Sequence, residues 1–281
     1  MKNLKTILAL FIFTFCILSC SKDDEPATEK TNPAVNQLRI KEQLYSSGDK
    51  TTYEYNDKNK LTRAISTSGF FTKYTYNSNG RVETYQIGGQ ANVALNHTAT
   101  YTYDQSGGIA ERLEIYESGV KYKYIYTNNS SGFALSCTSY KWDTASNIFI
   151  EVPLSFYTKS YNTANQLLRF QRGDGYILYA YDDRGNQTEN KTFKKAANGS
   201  YYNQNLQTTT FDNKKAFKTS PNSNSINNQL ELSDKRFSEN GTVTSHSTLI
   251  YLYEYNEVGY PIKKYLNGIL NETNTFEKFN L

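Results

Sequence analysis

The residues of this chain suited to chemistry are few and scattered. Its two histidines, His97 and His246, stand in no spacing with cysteine or carboxylate that would hold Zn²⁺, which needs clustered Cys, His or Asp/Glu ligands. Either could serve as a base, but no Gly-x-Ser-x-Gly or comparable nucleophile motif accompanies them. No Gly-rich phosphate loop is present either. Asp182-Asp183 is the kind of acidic pair that a glycosidase sets about 5 to 10 Å apart across a cleft, and it keeps open an alternative reading as a polysaccharide-acting hydrolase. Against that, Asp182 falls where a turn needs a cap. Asp and Asn oxygens in successive turns are potential Ca²⁺ ligands, but their spacing follows no EF-hand-like loop. Arg172-Gly173-Asp174 spells an adhesion tripeptide and reads as the hairpin turn before Tyr176. The expectation is therefore no catalytic residue, no metal and no cofactor.

Aromatic rings are the other chemical resource. The chain holds 25 Tyr and 15 Phe against one Trp and one Met, so its core must be largely aromatic. Rings stack on sugar faces, but a tyrosine that recurs in every copy of a pattern serves packing first. Opposed pairs across antiparallel strands contribute roughly 0.2 to 1 kcal/mol each. Candidate ligand-contacting rings are then those off the pattern: Trp142, Tyr201 and Tyr202.

The pattern runs from Tyr53-Glu54-Tyr55 to Tyr74-Thr75-Tyr76. Tyr-x-Tyr places two rings on one face of a strand. Asn56-Asp57-Lys58-Asn59 is turn chemistry, and Leu61, Arg63 and Ile65 resume the alternation before a second turn at Ser68-Gly69. Copies align on Tyr55-Asn56, Tyr76-Asn77, Tyr103-Asp104, Tyr161-Asn162, Tyr181-Asp182, Phe211-Asp212 and Tyr255-Asn256, with Tyr126-Thr127 as a worn copy. Four places after most of these rings stands Gly or Asn, tolerant of positive φ. Six places after, Leu61, Val82, Ile109 and Leu167 restart an apolar run, and Ile262 does so seven places after Tyr255. Asn198-Gly199, Asn240-Gly241 and Asn267-Gly268 carry the signal of two-residue hairpin turns. Self-similarity at such a period marks repeat architecture.

This unit resembles the YD repeat of the RHS/YD-repeat proteins, most fully from Tyr55 through Gly69 to Tyr76-Asn77, with Asn in place of Asp in about half the copies. In that family the repeats build a long spiralling β-sheet around a toxic passenger. The resemblance implies hairpin after hairpin in one antiparallel sheet. A relative of such a shell would need a protease or toxin segment, whereas Thr273 to Phe276 reads as ordinary strand.

The N-terminus has its own logic. Lys2 and Lys5 precede a mostly apolar run from Thr6 to Leu18, too short to span a bilayer as a retained helix. Leu18-Ser19-Cys20 resembles a bacterial lipobox, which implies cleavage and lipid on Cys20. Lys22-Asp23-Asp24 resembles the surface-export signal of Bacteroidota lipoproteins, and Asp143-Thr144-Ala145 their O-glycosylation site, with Thr144 as acceptor. Pro26 to Val35 reads as a tether; about 15 flexible residues reach roughly 20 Å. The expected division is a signal peptide over 1–19, lipidated Cys20, export signal and tether over 20–37, and an all-β domain over 38–281. That domain should be an antiparallel meander forming a curved sheet, open half-pipe or barrel-like wall of about 14 to 16 strands. Its edges at Leu38 and Phe279 would be free to pair with another chain. Lys218 to Gln229 breaks the rhythm as a disordered or binding loop.

Formal charge is +4, and loss of Lys2 and Lys5 leaves about +2, too little and too scattered for a nucleic-acid footprint. Cys16 leaves with the signal and Cys20 takes lipid, so Cys137 stands alone without a disulfide, a small buried residue. The reading is a monomeric outer-membrane lipoprotein, exposed at the cell surface and attached through its lipid. It would act as a non-catalytic binding or scaffold module for glycan or a protein partner.

Overall fold

The computed structural model describes residues 37–89, 95–216 and 227–279. In chain order the strands are β1 Gln37–Tyr45, β2 Lys50–Tyr55, β3 Leu61–Ser66, β4 Phe71–Tyr76, β5 Val82–Gly88, β6 His97–Tyr103 and β7 Ile109–Tyr116. They continue with β8 Lys121–Asn128, β9 Ala134–Asp143, β10 Ile148–Glu151, β11 Tyr157–Tyr161, β12 Leu167–Arg172 and β13 Gly175–Tyr181. The last six are β14 Gln187–Lys195, β15 Tyr201–Lys215, β16 Asn227–Phe237, β17 Val243–Tyr255, β18 Pro261–Leu266 and β19 Ile269–Phe279.

Each strand except β10 pairs antiparallel with its successor, and β1 pairs with β19 through Leu38↔Lys278 to Tyr45↔Glu272. The sheet is thus a closed barrel. The expected free edges at Leu38 and Phe279 do not exist, because closure removes them. β10 and β11 both lie along β9, Glu151 against Tyr140 and Tyr157 against Cys137. They are two halves of one stave, interrupted around Pro153, so the 19 strands make 18 staves. The count exceeds the expected 14 to 16 because the strands are short and the turns tight.

Twelve of the hairpins share one turn. In the first copy Asn59 N–H donates to Asn56 O and Asn56 N–H donates to Lys60 O, both at 3.0 Å. The fourth residue is left-handed: Asn59 has φ 56° and Gly80 has φ 73°. This is a type I turn followed by a bulge residue of positive φ. The bulge explains the six-place spacing, because it pairs Tyr55 with Leu61, Tyr76 with Val82 and Tyr161 with Leu167. Asn198-Gly199 and Asn240-Gly241 also belong to this three-residue class; of the three Asn-Gly pairs Asn267-Gly268 alone is a two-residue turn, with φ 50° and 80°.

Interchange of Asn and Asp also has a cause. Asn56 Oδ1 accepts the N–H groups of Lys58 (3.1 Å) and Lys60 (2.8 Å), and Asn77, Asn129, Asn162, Asp182 and Asn256 repeat this geometry. One acceptor oxygen suffices, and both side chains carry it. The worn copy is displaced by two residues from its expected place. Asn129 is the turn cap and Asn128 fills the ring position, which hid it from an alignment on aromatics.

These Asx turns all lie on one rim, together with the start of β1 and the end of β19; we call it proximal. The other turns form the distal rim. Neighbouring turns touch closely: a Cβ on Gly89 (φ +72°) would come 1.9 Å from Gly69 O. That contact gives the second glycine of the unit its role.

One face of the wall carries the rings and is the more buried: Tyr53, Tyr74, Tyr101, Ile109 and Cys137 all lie on it. Since among the described residues no second layer covers the wall, the buried face is the concave one. The opposite face bears Glu54, Arg63, Lys73, Lys123 and Lys263 at mid-strand, with exposed Ile125, Ile250 and Leu252 between them. A bilayer-facing band would be continuously apolar. A bulge at Lys41 shifts the register, turning Gln43 inward and leaving Leu44 47% exposed outside. The interval expected as a loop over Lys218 to Gln229 lies partly outside the described residues, but Asn227, Asn228 and Gln229 open β16.

Candidate functional site: the inner wall

Pattern tyrosines have a structural task that the sequence did not reveal. Tyr76 Oη donates to Leu61 O (2.6 Å), Tyr103 Oη to Val82 O (2.6 Å), Tyr161 Oη to Ala134 O (2.9 Å) and Tyr181 Oη to Leu167 O (3.0 Å). Each ring thereby pins the restart residue of the preceding copy. Asn128 does the same through Nδ2 to Ile109 O at 2.9 Å. Cations from the turns lie over two of these rings, Lys60 over Tyr76 at 5.5 Å and Arg81 over Tyr103 at 5.3 Å, and Arg39 of β1 lies over Tyr55 at 4.6 Å.

A polar cluster is set into this wall at mid-height on β7 to β11. Arg112 Nη2 lies 3.3 Å from Glu114 Oε1, and the guanidinium sits 4.1 Å above the Tyr124 ring. Glu114 Oε2 accepts the hydroxyls of Tyr116 and Tyr124, each at 3.1 Å. Arg112 Nε is buried and without a partner. Burial works against the Arg112 charge, but the tyrosines and Glu114 around it prevail and hold its pKa above the ordinary value. Next along the wall come Tyr126, Cys137 and Tyr157, in register across β8, β9 and β11. Burial raises all three pKa values. Lys159 follows, 6% exposed, its pKa pulled down to about 8 by burial.

Arg112, Glu114 and Lys159 were missed as site residues. Their signal was parity: Arg112 and Glu114 alternate with Leu113 on the face that also carries Tyr116, and Lys159 stands between Tyr157 and Tyr161. Charged side chains on the ring face of a strand are the anomaly.

The residues singled out from the sequence are not brought together. Cys20, Lys22, Asp23 and Asp24 lie outside the described residues. Thr144 is exposed in the distal loop between β9 and β10. Trp142 is on the outer face, edge-on to Phe149 at 5.0 Å with Lys121 Nζ 5.2 Å above it. Tyr201 is also outside, 44% exposed and edge-on to Tyr176 at 5.1 Å, whereas Tyr202 is half-buried and opposes Lys194. His97 stacks on Tyr116 at 4.8 Å, and His246 contacts the Ser233 hydroxyl on the outer face at 3.0 Å. Among the described residues no His, Cys, Asp or Glu cluster could hold a metal. Cys137 is a free, buried thiol.

The acidic pair does not converge on a cleft. Asp182 caps its turn, and Asn186 Nδ2 holds its second oxygen at 2.9 Å; Asp183 is exposed on the rim. A shallow hollow of about 180 Å³ at the distal rim is lined by Ile87, His97, Tyr116 and Glu117 among others.

No family model matches the chain, and no curated protein matches it. Among solved structures it is similar to a porin-like protein from Bacteroides uniformis ATCC 8492, at 18% identity and TM-score 0.42, over 85% of this chain and 98% of that one. It is also similar to a porin-like protein from Bacteroides vulgatus ATCC 8482, at 11% identity and TM-score 0.44, over 86% and 100%. A third is the TcdB2-TccC3-TEV chain, at 11% identity and TM-score 0.37, over 85% of this chain but 15% of that one.

Proposed function

We propose that this protein is a non-catalytic binding module of the outer membrane, held there by lipid on Cys20 and exposed at the cell surface, which receives a glycan against the inner wall of its barrel. The observation that carries the reading is the wall itself. It is a closed concave surface rich in tyrosine rings, on which the carboxylates of Glu114 and Asp234 are engaged, Glu114 by an arginine and two hydroxyls and Asp234 by two side-chain amides. Barrels of 16 to 18 strands leave a water-filled bore, and rings with polar tips suit a surface that is both apolar and wet. The charged outer wall supports a barrel standing in water beside the membrane. A tether entering at the proximal rim turns the distal mouth away from the lipid. Asn for Asp in the turns is compatible with a YD-type repeat, since either supplies the acceptor.

Three measurements test this. Labelled palmitate should enter the wild-type chain and not Cys20→Ser, and added protease should reach the barrel on intact cells. The soluble Cys20→Ser chain should bind oligosaccharides on a glycan array, and Tyr157→Ala should weaken that binding. An array with no signal would remove the glycan.

A further inference from the structure

The inner wall contains a cation with no internal counter-charge. Lys159 is 6% exposed, and among the described residues no carboxylate pairs with it. The titratable groups around it are the Cys137 thiol and the Tyr157 hydroxyl, with Arg112 beyond. The nearest acid in the cluster, Glu114, is committed to Arg112 and two tyrosines. Buried charges in proteins are normally paired, and an apolar side chain at such a place is often the more stable choice. The fold thus retains an ammonium where methylenes would pack.

Its surroundings fit one kind of visitor. Tyr157 and Tyr161 flank Lys159 on the same face of β11, about 7 Å to either side at roughly 3.4 Å per residue. Each is doubled by a neighbour: Tyr157 with Phe170 at 5.1 Å, and Tyr161 with Phe133 at 5.4 Å. Lys159 Nζ itself lies 5.3 Å from the Tyr157 ring centre. Two ring pairs separated by one cation offer apolar faces for pyranose rings and a charge for one acidic substituent.

We infer that Lys159, between the Tyr157–Phe170 and Phe133–Tyr161 ring pairs, forms a subsite for a carboxylated sugar residue, a hexuronic acid within an oligosaccharide. This rests on the inner wall being a glycan-binding surface and names the class of glycan. The probes are hexagalacturonate and its fully methyl-esterified form, titrated calorimetrically into the soluble Cys20→Ser chain. The acid should bind at least 10-fold more tightly than the ester. Lys159→Met should reduce acid binding to the level of the ester and raise the melting temperature, which separates lost recognition from lost fold. Lys159→Arg should keep the preference. Equal binding of acid and ester by the wild type, or an acid preference that survives Lys159→Met, would overturn the subsite. If neutral glycans bind and uronides do not, the subsite fails and the glycan-binding wall stands; if no glycan binds, both fail.

Discussion

From β2 to β13 the inner wall is tyrosine, whereas across β14 to β16 it is amide and carboxylate. In the first region each copy but the one at Asn128 is joined to the one before it by a ring and its hydroxyl, as Tyr76 is to Leu61 O and Tyr103 to Val82 O. In the second, Asn190 Nδ2 donates to Gln207 Oε1 at 2.8 Å, and Gln207 Nε2 to Asp234 Oδ2 at 2.8 Å. Asn205 Nδ2 reaches Asp234 Oδ1 at 3.0 Å. There Asp212 of β15 and Asn227 and Asn228 at the start of β16 are joined to Asn186 and Tyr255. Hairpins can thus be joined by either material, but the two respond differently to perturbation. Ring contacts remove apolar area from water, about 25 cal/mol per Å², and tolerate small shifts. Amide contacts exchange water for a partner at about 1 kcal/mol each and penalise any group left unpaired.

The contrast can be broken by mutation. Tyr101, 8% exposed in the first region, should cost about 3 to 5 kcal/mol as Tyr101→Ala in urea unfolding. Asn205→Ala in the second should cost about 1 to 2 kcal/mol; equal losses would show that the two materials are equivalent. Glu114→Leu should rank just below Tyr101→Ala, at about 3 kcal/mol, because it strands a buried Arg112.

Lysine ionisation sharpens the comparison through pH. Lys159 titrates at about 8 when folded against 10.5 when unfolded, so above pH 8 the unfolded chain holds more protons and stability rises with pH. The wild type should gain about 2 to 3 kcal/mol between pH 7 and 10 relative to Lys159→Met. Above about pH 10 the trend reverses, since tyrosines such as Tyr157, whose pKa burial raises, then ionise first in the unfolded chain. The smallest effect belongs to Tyr76→Phe, about 1 kcal/mol for one lost hydroxyl contact. At the proximal rim, Asn186 and the backbone N–H groups hold the Asp182 carboxyl below its ordinary pKa. That stabilisation is complete above the unfolded value and lost as pH falls through the folded one. Asp182→Asn should therefore match the wild type in melting temperature at pH 7 and fall less between pH 5 and 3.

The hairpin order and the inward rings were legible because period-2 alternation and turn residues are local signals. Tyr53, Tyr55, Asn56 and Leu61 state their own geometry. Closure was not legible, because the pairing of Leu38 with Lys278 depends on accumulated twist and stave number. Nor was the Asn128 copy, because Asn128 supplies a donor to Ile109 O without being a ring. The polar cluster was half legible. Parity put Arg112, Glu114 and Lys159 on the ring face, but their closeness to Cys137 depends on the registers of β8, β9 and β11, which no single strand encodes. Trp142 and Tyr201 drew notice as rings outside the repeat and proved to face outward, as their parity relative to Cys137 and Tyr202 requires.

The unit that repeats is a hairpin, so copy number can change only two staves at a time. Loss or duplication of one copy leaves the first and last strands antiparallel and able to meet. It also leaves the ring-to-carbonyl contact between neighbouring copies intact, since that contact reaches back by one copy only. Gene duplication could therefore widen or narrow this vessel in fixed steps, about 10 Å of circumference at a time, without inventing a new interface.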